Sequence, residues 1–180
     1  RESDTCNVIQ DRFSLQCKTV CDPTMLLPAS EWEKFTVPAG EKNYVLVYFP
    51  YESILKSAEA YAAEHQKKLV IVGTTWPWKS KNHQPVYSPQ QWLSYIRNAD
   101  AVFTDSYHGL LFSLYFHRPV WTNNHGSRSS DLLHTLGLEN CFIENDPHFF
   151  NQIDYSSCDE KMNAMRNDAI RYLCDAVKEL

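Results

Sequence analysis

Short apolar runs rich in β-branched residues recur along this chain, each followed by a stretch with helical spacing, and that alternation leaves few folds open. Residues 44–49 read YVLVYF, a strand, after which Ile54, Leu55, Ala58, Tyr61 and Ala62 recur at helical intervals. Residues 69–73, LVIVG, form a second strand apolar enough to be covered on both faces. Ser88-Pro89-Gln90-Gln91 opens a helix, with Ser88 as cap, Pro89 at the first position and Gln91 completing a capping box. AVFTD (101–105) is a third strand, a helix runs from Ser106 to about Phe116, and PVWTN (119–123) is a fourth strand. Leu132, Leu133 and Leu136 mark a further helix closed by Gly137. Strand and helix in strict turn, with short connections, predict a doubly wound, mostly parallel α/β sheet.

Four outlying pieces complete the expectation. Residues 2–13 read as a helix, CKTVC (17–21) as a strand and CFI (141–143) as a short strand finishing the sheet. From Asp159 onward Met162, Met165, Ala169, Leu173 and Val177 share one stripe, so 159–180 reads as a long C-terminal docking helix.

A chain of 180 residues suits one domain or one half of a larger enzyme, and 43% hydrophobic residues can fill a core. The net charge of −5 excludes a basic field over the whole molecule and so argues against nonspecific nucleic-acid binding; any anionic ligand must be held by local donors. No apolar run reaches the roughly 18 residues of a membrane span, and no signal peptide opens the chain. Because residue 1 is Arg rather than Met, the chain is expected to lie inside a longer product, cytoplasmic or held at the inner face of the membrane. The six cysteines sit largely beside aliphatic residues and read as reduced thiols; Cys17 and Cys21 lack a second pair at zinc-ribbon spacing, so no metal is expected.

Glycine is scarce, five in all where about a dozen would be typical, and Gly73, Gly109 and Gly126 fall just after strands. They mark the carboxyl edge of the sheet, where open α/β folds bind ligands. The turn Asp105-Ser106-Tyr107-His108-Gly109 stands at that edge. Ser106 can cap the helix, whose N-terminal N–H groups and dipole attract phosphate or carboxylate, Gly109 would let a ligand approach the backbone, and His108 would sit beside the anion. As a pattern alone it reads equally as a capped helix with a satisfied histidine. The loops 73–83, GTTWPWKSKNH, and 123–131, NNHGSRSSD, add Trp76, Trp78, Ser127 and Arg128 at the same edge, more polar donors than capping requires. Taken singly, Arg128 reads as a solvated surface residue and the tryptophans as packing under their loop.

The order of several motifs resembles the polysaccharide pyruvyl transferases. They are Arg1-Glu2-Ser3, Asp22-Pro23-Thr24-Met25-Leu26-Leu27, Ser88-Pro89-Gln90-Gln91-Trp92-Leu93, Asn98-Ala99-Asp100 and Thr104-Asp105-Ser106-Tyr107-His108-Gly109 with Phe112-Ser113, then Pro119, Ser127-Arg128 and Asp131-Leu132-Leu133. Tyr107 stands where a Phe is common and Ser129 where an aliphatic is expected. The resemblance spans residues 1–137; beyond about 145 it carries no signal. It implies a C-terminal donor-binding domain, residues 1–180, of a two-domain enzyme resembling the glycosyltransferases with two Rossmann-like halves, with a missing N-terminal domain as its partner.

The resemblance also implies chemistry: a pyruvyl unit moves from phosphoenolpyruvate to a sugar or lipid-linked oligosaccharide, forming a ketal and releasing phosphate. His108 would be the proton donor. Arg128, with Ser127 and the Ser106, Tyr107 and Gly109 turn, would clamp the donor's anionic groups, helped by Arg1 from the domain seam. Trp76 or Trp78 would stack on the acceptor, although packing is the simpler reading of both. No cofactor or metal is implied. Two other classes stay open: the donor-binding domain of a nucleotide-sugar glycosyltransferase, for which no suitably spaced glutamate pair is visible, and a receiver-like scaffold, for which Asp100 and Asp105 alone make no acidic cluster.

Overall fold

The computed structural model describes residues 3–38, 40, 42–73, 82–86, 88–123, 126–146, 148–149 and 152–178. Five strands, β1 (Tyr44–Tyr48), β2 (Lys68–Val72), β3 (His83–Gln84), β4 (Ala101–Thr104) and β5 (Val120–Trp121), form one sheet in the order β3-β2-β1-β4-β5, every pair parallel. This is the doubly wound α/β architecture that the alternation predicts.

Period-2 alternation along the strands divides the core in two. Val45, Val47, Ile71, Ala101, Phe103 and Trp121 point to one face and meet Ile54, Ala58 and Ala62 of α3 (Glu52–Glu64). Tyr44, Leu46, Val70, Val72, Val102 and Val120 point to the other. That second face is covered by α4 (Pro89–Asn98), α5 (Tyr107–Tyr115), α6 (Ser127–Leu136) and α7 (Tyr155–Lys178). Residues Gly109 through Tyr115 of α5 are all buried, so this helix is the centre of the larger core. Two α-helices precede β1: α1 (Ser3–Phe13), exposed along most of its length, and the short α2 (Ala29–Glu33).

The start of α4 shows local sequence deciding local structure. Ser88 Oγ accepts the Gln91 N–H at 3.2 Å and Pro89 occupies the first turn, as the S-P-Q-Q pattern predicts. Gly137 closes α6 in the left-handed region at φ 73°, where a Cβ would be strained.

Three expectations need correction. Residues 17–21 form no strand; they run as irregular chain beside residues of α6 and α7 rather than beside a strand of the sheet. Residues 141–143 contribute a single parallel bridge, Thr122 to Phe142, between two one-turn 3-10 segments, Glu139–Cys141 and Ile143–Asn145. This short piece is pinned to the sheet by Trp121 Nε1 donating to Asp146 Oδ2 at 2.8 Å. The C-terminal helix begins at Tyr155 rather than Asp159, because Asp154 Oδ1 accepts the N–H groups of Ser156 and Ser157 and so starts it early. Its stripe is buried at Cys158, Met162 and Ala169, whereas Leu173 and Val177 are exposed, so the docked part ends near Ala169.

Candidate active site

In the order β3-β2-β1-β4-β5 the chain reverses direction between β1 and β4, and the carboxyl ends of those two strands form the crevice where open α/β sheets bind ligands. Side chains of the turn after β4 tie this crevice together. Buried Thr104 donates from Oγ1 to the Tyr48 carbonyl at 2.6 Å and accepts the Ser106 N–H at 3.1 Å. Asp105 accepts the Tyr51 N–H at 2.6 Å through Oδ2, and the Asn123 side-chain amide at 2.9 Å through Oδ1. Asn123 is linked in turn to Ser53. One carboxylate thus straps the ends of β1, β4 and β5, a structural task that a D-S-Y-H-G motif does not disclose. The loop after β1 also carries Phe49, 70% exposed and in the left-handed backbone region at φ 51°, a feature the sequence reading missed.

Ser106 caps α5, its Oγ accepting the Gly109 N–H at 3.3 Å. Gly109 itself is buried, and an added Cβ would fall 2.5 Å from Thr104 Oγ1. The structure therefore gives this glycine a packing reason: it lets α5 close onto β4. One residue earlier, the His108 side chain is 42% exposed. The Tyr107 and His108 rings meet edge to face with centroids 5.4 Å apart.

Against His108 stands Asp22, which the sequence reading quoted only as part of a motif. Its side chain is 2% exposed, and its Oδ1 lies 3.6 Å from His108 Nε2. The same oxygen accepts the Thr24 N–H at 3.0 Å and the Thr24 hydroxyl at 2.8 Å, capping the 3-10 turn Pro23–Leu26. A D-P-T sequence signals that cap, but the histidine contact spans 86 positions of chain and has no local signal.

Arg128 arrives from the first turn of α6, next to Ser127, and its guanidinium lies 5.5 Å from the centre of the Tyr107 ring. Tyr107 therefore touches both the histidine and the arginine. A pocket of about 280 Å³ adjoins Tyr107 and Arg128, walled by these two, the 19–22 segment and Asp131, with Met165 and Asp168 of α7 behind. Cys21 lines it too; burial first, then the neighbouring Asp22 charge, pushes its thiol up, which favours the neutral form. Of the remaining expected site residues, Arg1, Trp76 and Trp78 lie outside the described residues. Among the described residues no group of three or more His, Cys, Asp or Glu could hold a metal ion, and no helix is long and apolar enough to cross a membrane.

An all-parallel, five-stranded sheet flanked by helices, with His108 against Asp22 and Arg128 against Tyr107, defines a doubly wound α/β domain. The particular family is also defined: the chain belongs to the polysaccharide pyruvyl transferases, whose family model matches residues 1–122. No match is found among curated proteins or among solved structures. Asp22 and the Ser106–Gly109 turn fall within the matched residues, whereas Ser127 and Arg128 lie beyond them.

Proposed function

We propose that this chain is the donor-binding domain of an enzyme that transfers a pyruvyl unit from phosphoenolpyruvate to a sugar of a polysaccharide or its precursor. The observation that carries this reading is the meeting of His108 and Arg128 on the ring of Tyr107, within a chain of the pyruvyl transferase family. The first supplies a proton and the second a planar fork of donors suited to phosphate or carboxylate.

The reaction then runs as follows. His108 gives a proton to the methylene carbon of phosphoenolpyruvate, leaving an oxocarbenium-like centre at the neighbouring carbon. A sugar hydroxyl attacks that centre and returns its proton to His108. The carbon–oxygen bond to phosphate breaks, a second hydroxyl of the same sugar closes the ketal, and its proton leaves with phosphate. Arg128 and the start of α5 hold the anionic donor throughout. A longer protein would bring the acceptor across the crevice from a second domain, and Arg1 would join the donor site at that seam.

Titration with phosphoenolpyruvate, followed by NMR, tests the reading. Saturable binding is expected, weakened about 100-fold in Arg128→Ala, in line with the roughly 1.5–3 kcal/mol of a charged hydrogen-bonded contact. The melting temperature should change little, because the cost of a cation opposing the helix dipole and the gain from its contact with the Tyr107 ring act in opposite directions. A response to nucleotide sugars and none to phosphoenolpyruvate would move the assignment to a nucleotide-sugar glycosyltransferase.

A further inference from the structure

Asp22 is a buried ionisable group to which the reading above gives no task. The turn that carries it is held from several sides: Trp32 Nε1 donates to the Thr24 carbonyl at 3.0 Å, Arg166 Nε to the Met25 carbonyl at 2.8 Å, and the Tyr115 hydroxyl to the Leu27 carbonyl at 3.4 Å. Two donors from Thr24 fix the carboxylate itself. Capping a 3-10 turn explains those two bonds. It does not explain why a histidine from α5 comes to rest with Nε2 3.6 Å from the same oxygen, beyond hydrogen-bond length but within ion-pair reach.

We infer that Asp22 is the positioning residue of His108: it turns Nε2 toward the protein, leaves Nδ1 to face the ligand, and stabilises the ring while it is charged. The role in turnover rests on the pyruvyl-transfer reading; the contact does not. In that reaction the Nδ1–H bond breaks and its proton passes to the donor's methylene carbon, while Nε2 keeps its own proton beside Asp22. The neutral ring then takes the hydroxyl proton back at Nδ1, so one nitrogen serves both directions. A carboxylate set by backbone and buried side chains holds this orientation without reorganising during the step.

Other charged groups from neighbouring elements line the pocket beside Tyr107. From α6 come Arg128, against Tyr107, and Asp131 and His134, which line the adjoining pocket. From α7 comes Asp168, which is paired with Lys18 at 2.8 Å. Cys21, beside Asp22, is held toward its neutral form by burial. Among the described residues, the carboxylate at ion-pair distance from His108 is that of Asp22.

The test is the tautomer of the neutral His108 ring by proton–nitrogen NMR, in the wild-type chain and in Asp22→Asn. The asparagine oxygen can still accept both Thr24 bonds, so the cap survives while the charge is lost. The variant is expected to hold more of the neutral ring as the Nδ1–H form, read from the ring nitrogen shifts, since the anion facing Nε2 is gone. In the wild-type protein, the proton remaining after deprotonation is expected on Nε2. A tautomer balance that is the same in both proteins, or a neutral wild-type ring carrying its proton on Nδ1, would overturn the inference, and the second reading needs no variant to fold. Adding phosphoenolpyruvate separates the two claims: an Asp22-dependent ring that ignores phosphoenolpyruvate keeps the positioning role and removes the pyruvyl-transfer reading.

Discussion

The helices that carry His108 and Arg128 begin in opposite ways. Helix α5 starts by the local rules: Ser106 caps it, and its residues from Gly109 onward are buried. Helix α6 breaks them. Its cap is Gly126, which has no side chain to offer, and Arg128 stands in the first turn, where a positive charge opposes the helix dipole. What the first turn of α6 gives up to the dipole, the contact of Arg128 with the Tyr107 ring at the pocket offsets in part. The comparison teaches that α5 is built for placement and α6 for presentation.

The largest expected effect comes from breaking the packing that seats α5. Gly109→Ala puts a Cβ 2.5 Å from Thr104 Oγ1, a hydroxyl fixed by two hydrogen bonds and unable to retreat. A loss of about 2–3 kcal/mol is expected in chemical denaturation, the range of overpacked cores; a stability equal to wild type would show that α5 can slide on β4. A medium effect should follow from Ser106→Ala, which removes the cap and should cost about 1 kcal/mol in the same measurement. The smallest effect sharpens the contrast from the other side. At Gly126 an added Cβ meets nothing within 4 Å and the backbone is extended at φ −125°, so Gly126→Ser can supply the missing cap. It should stabilise by about 0.3 kcal/mol, seen as a melting temperature higher by about 1 °C. A loss instead would mean that the α6 start is set by its surroundings and not by its cap.

Much of the frame was legible because its signals are local. Short, continuous apolar runs placed β1, β2 and β4, the Ser88-Pro89 pair placed α4, and Gly137 ended α6. The misread pieces share a physical cause. Residues 17–21 have strand-forming residues but no neighbouring strand, and 141–143 have room for one bridge only, so pairing rather than propensity decided both. In α7 the apolar stripe runs to Val177, yet burial ends with the surface it packs on. At the site, Ser106 was readable as a cap, whereas the reason for Gly109 required the position of Thr104.

The sequence by itself determined the layers, the helix caps and the candidate histidine and arginine, because spacing and capping act over a few residues. Only the tertiary structure decided that the turn at Asp22 meets the start of α5, that Asp105 joins three strand ends, and that Arg128 reaches Tyr107 from α6. Those contacts join residues far apart in the chain, and they form because the parallel sheet brings its carboxyl ends together along one edge and the helices close over it.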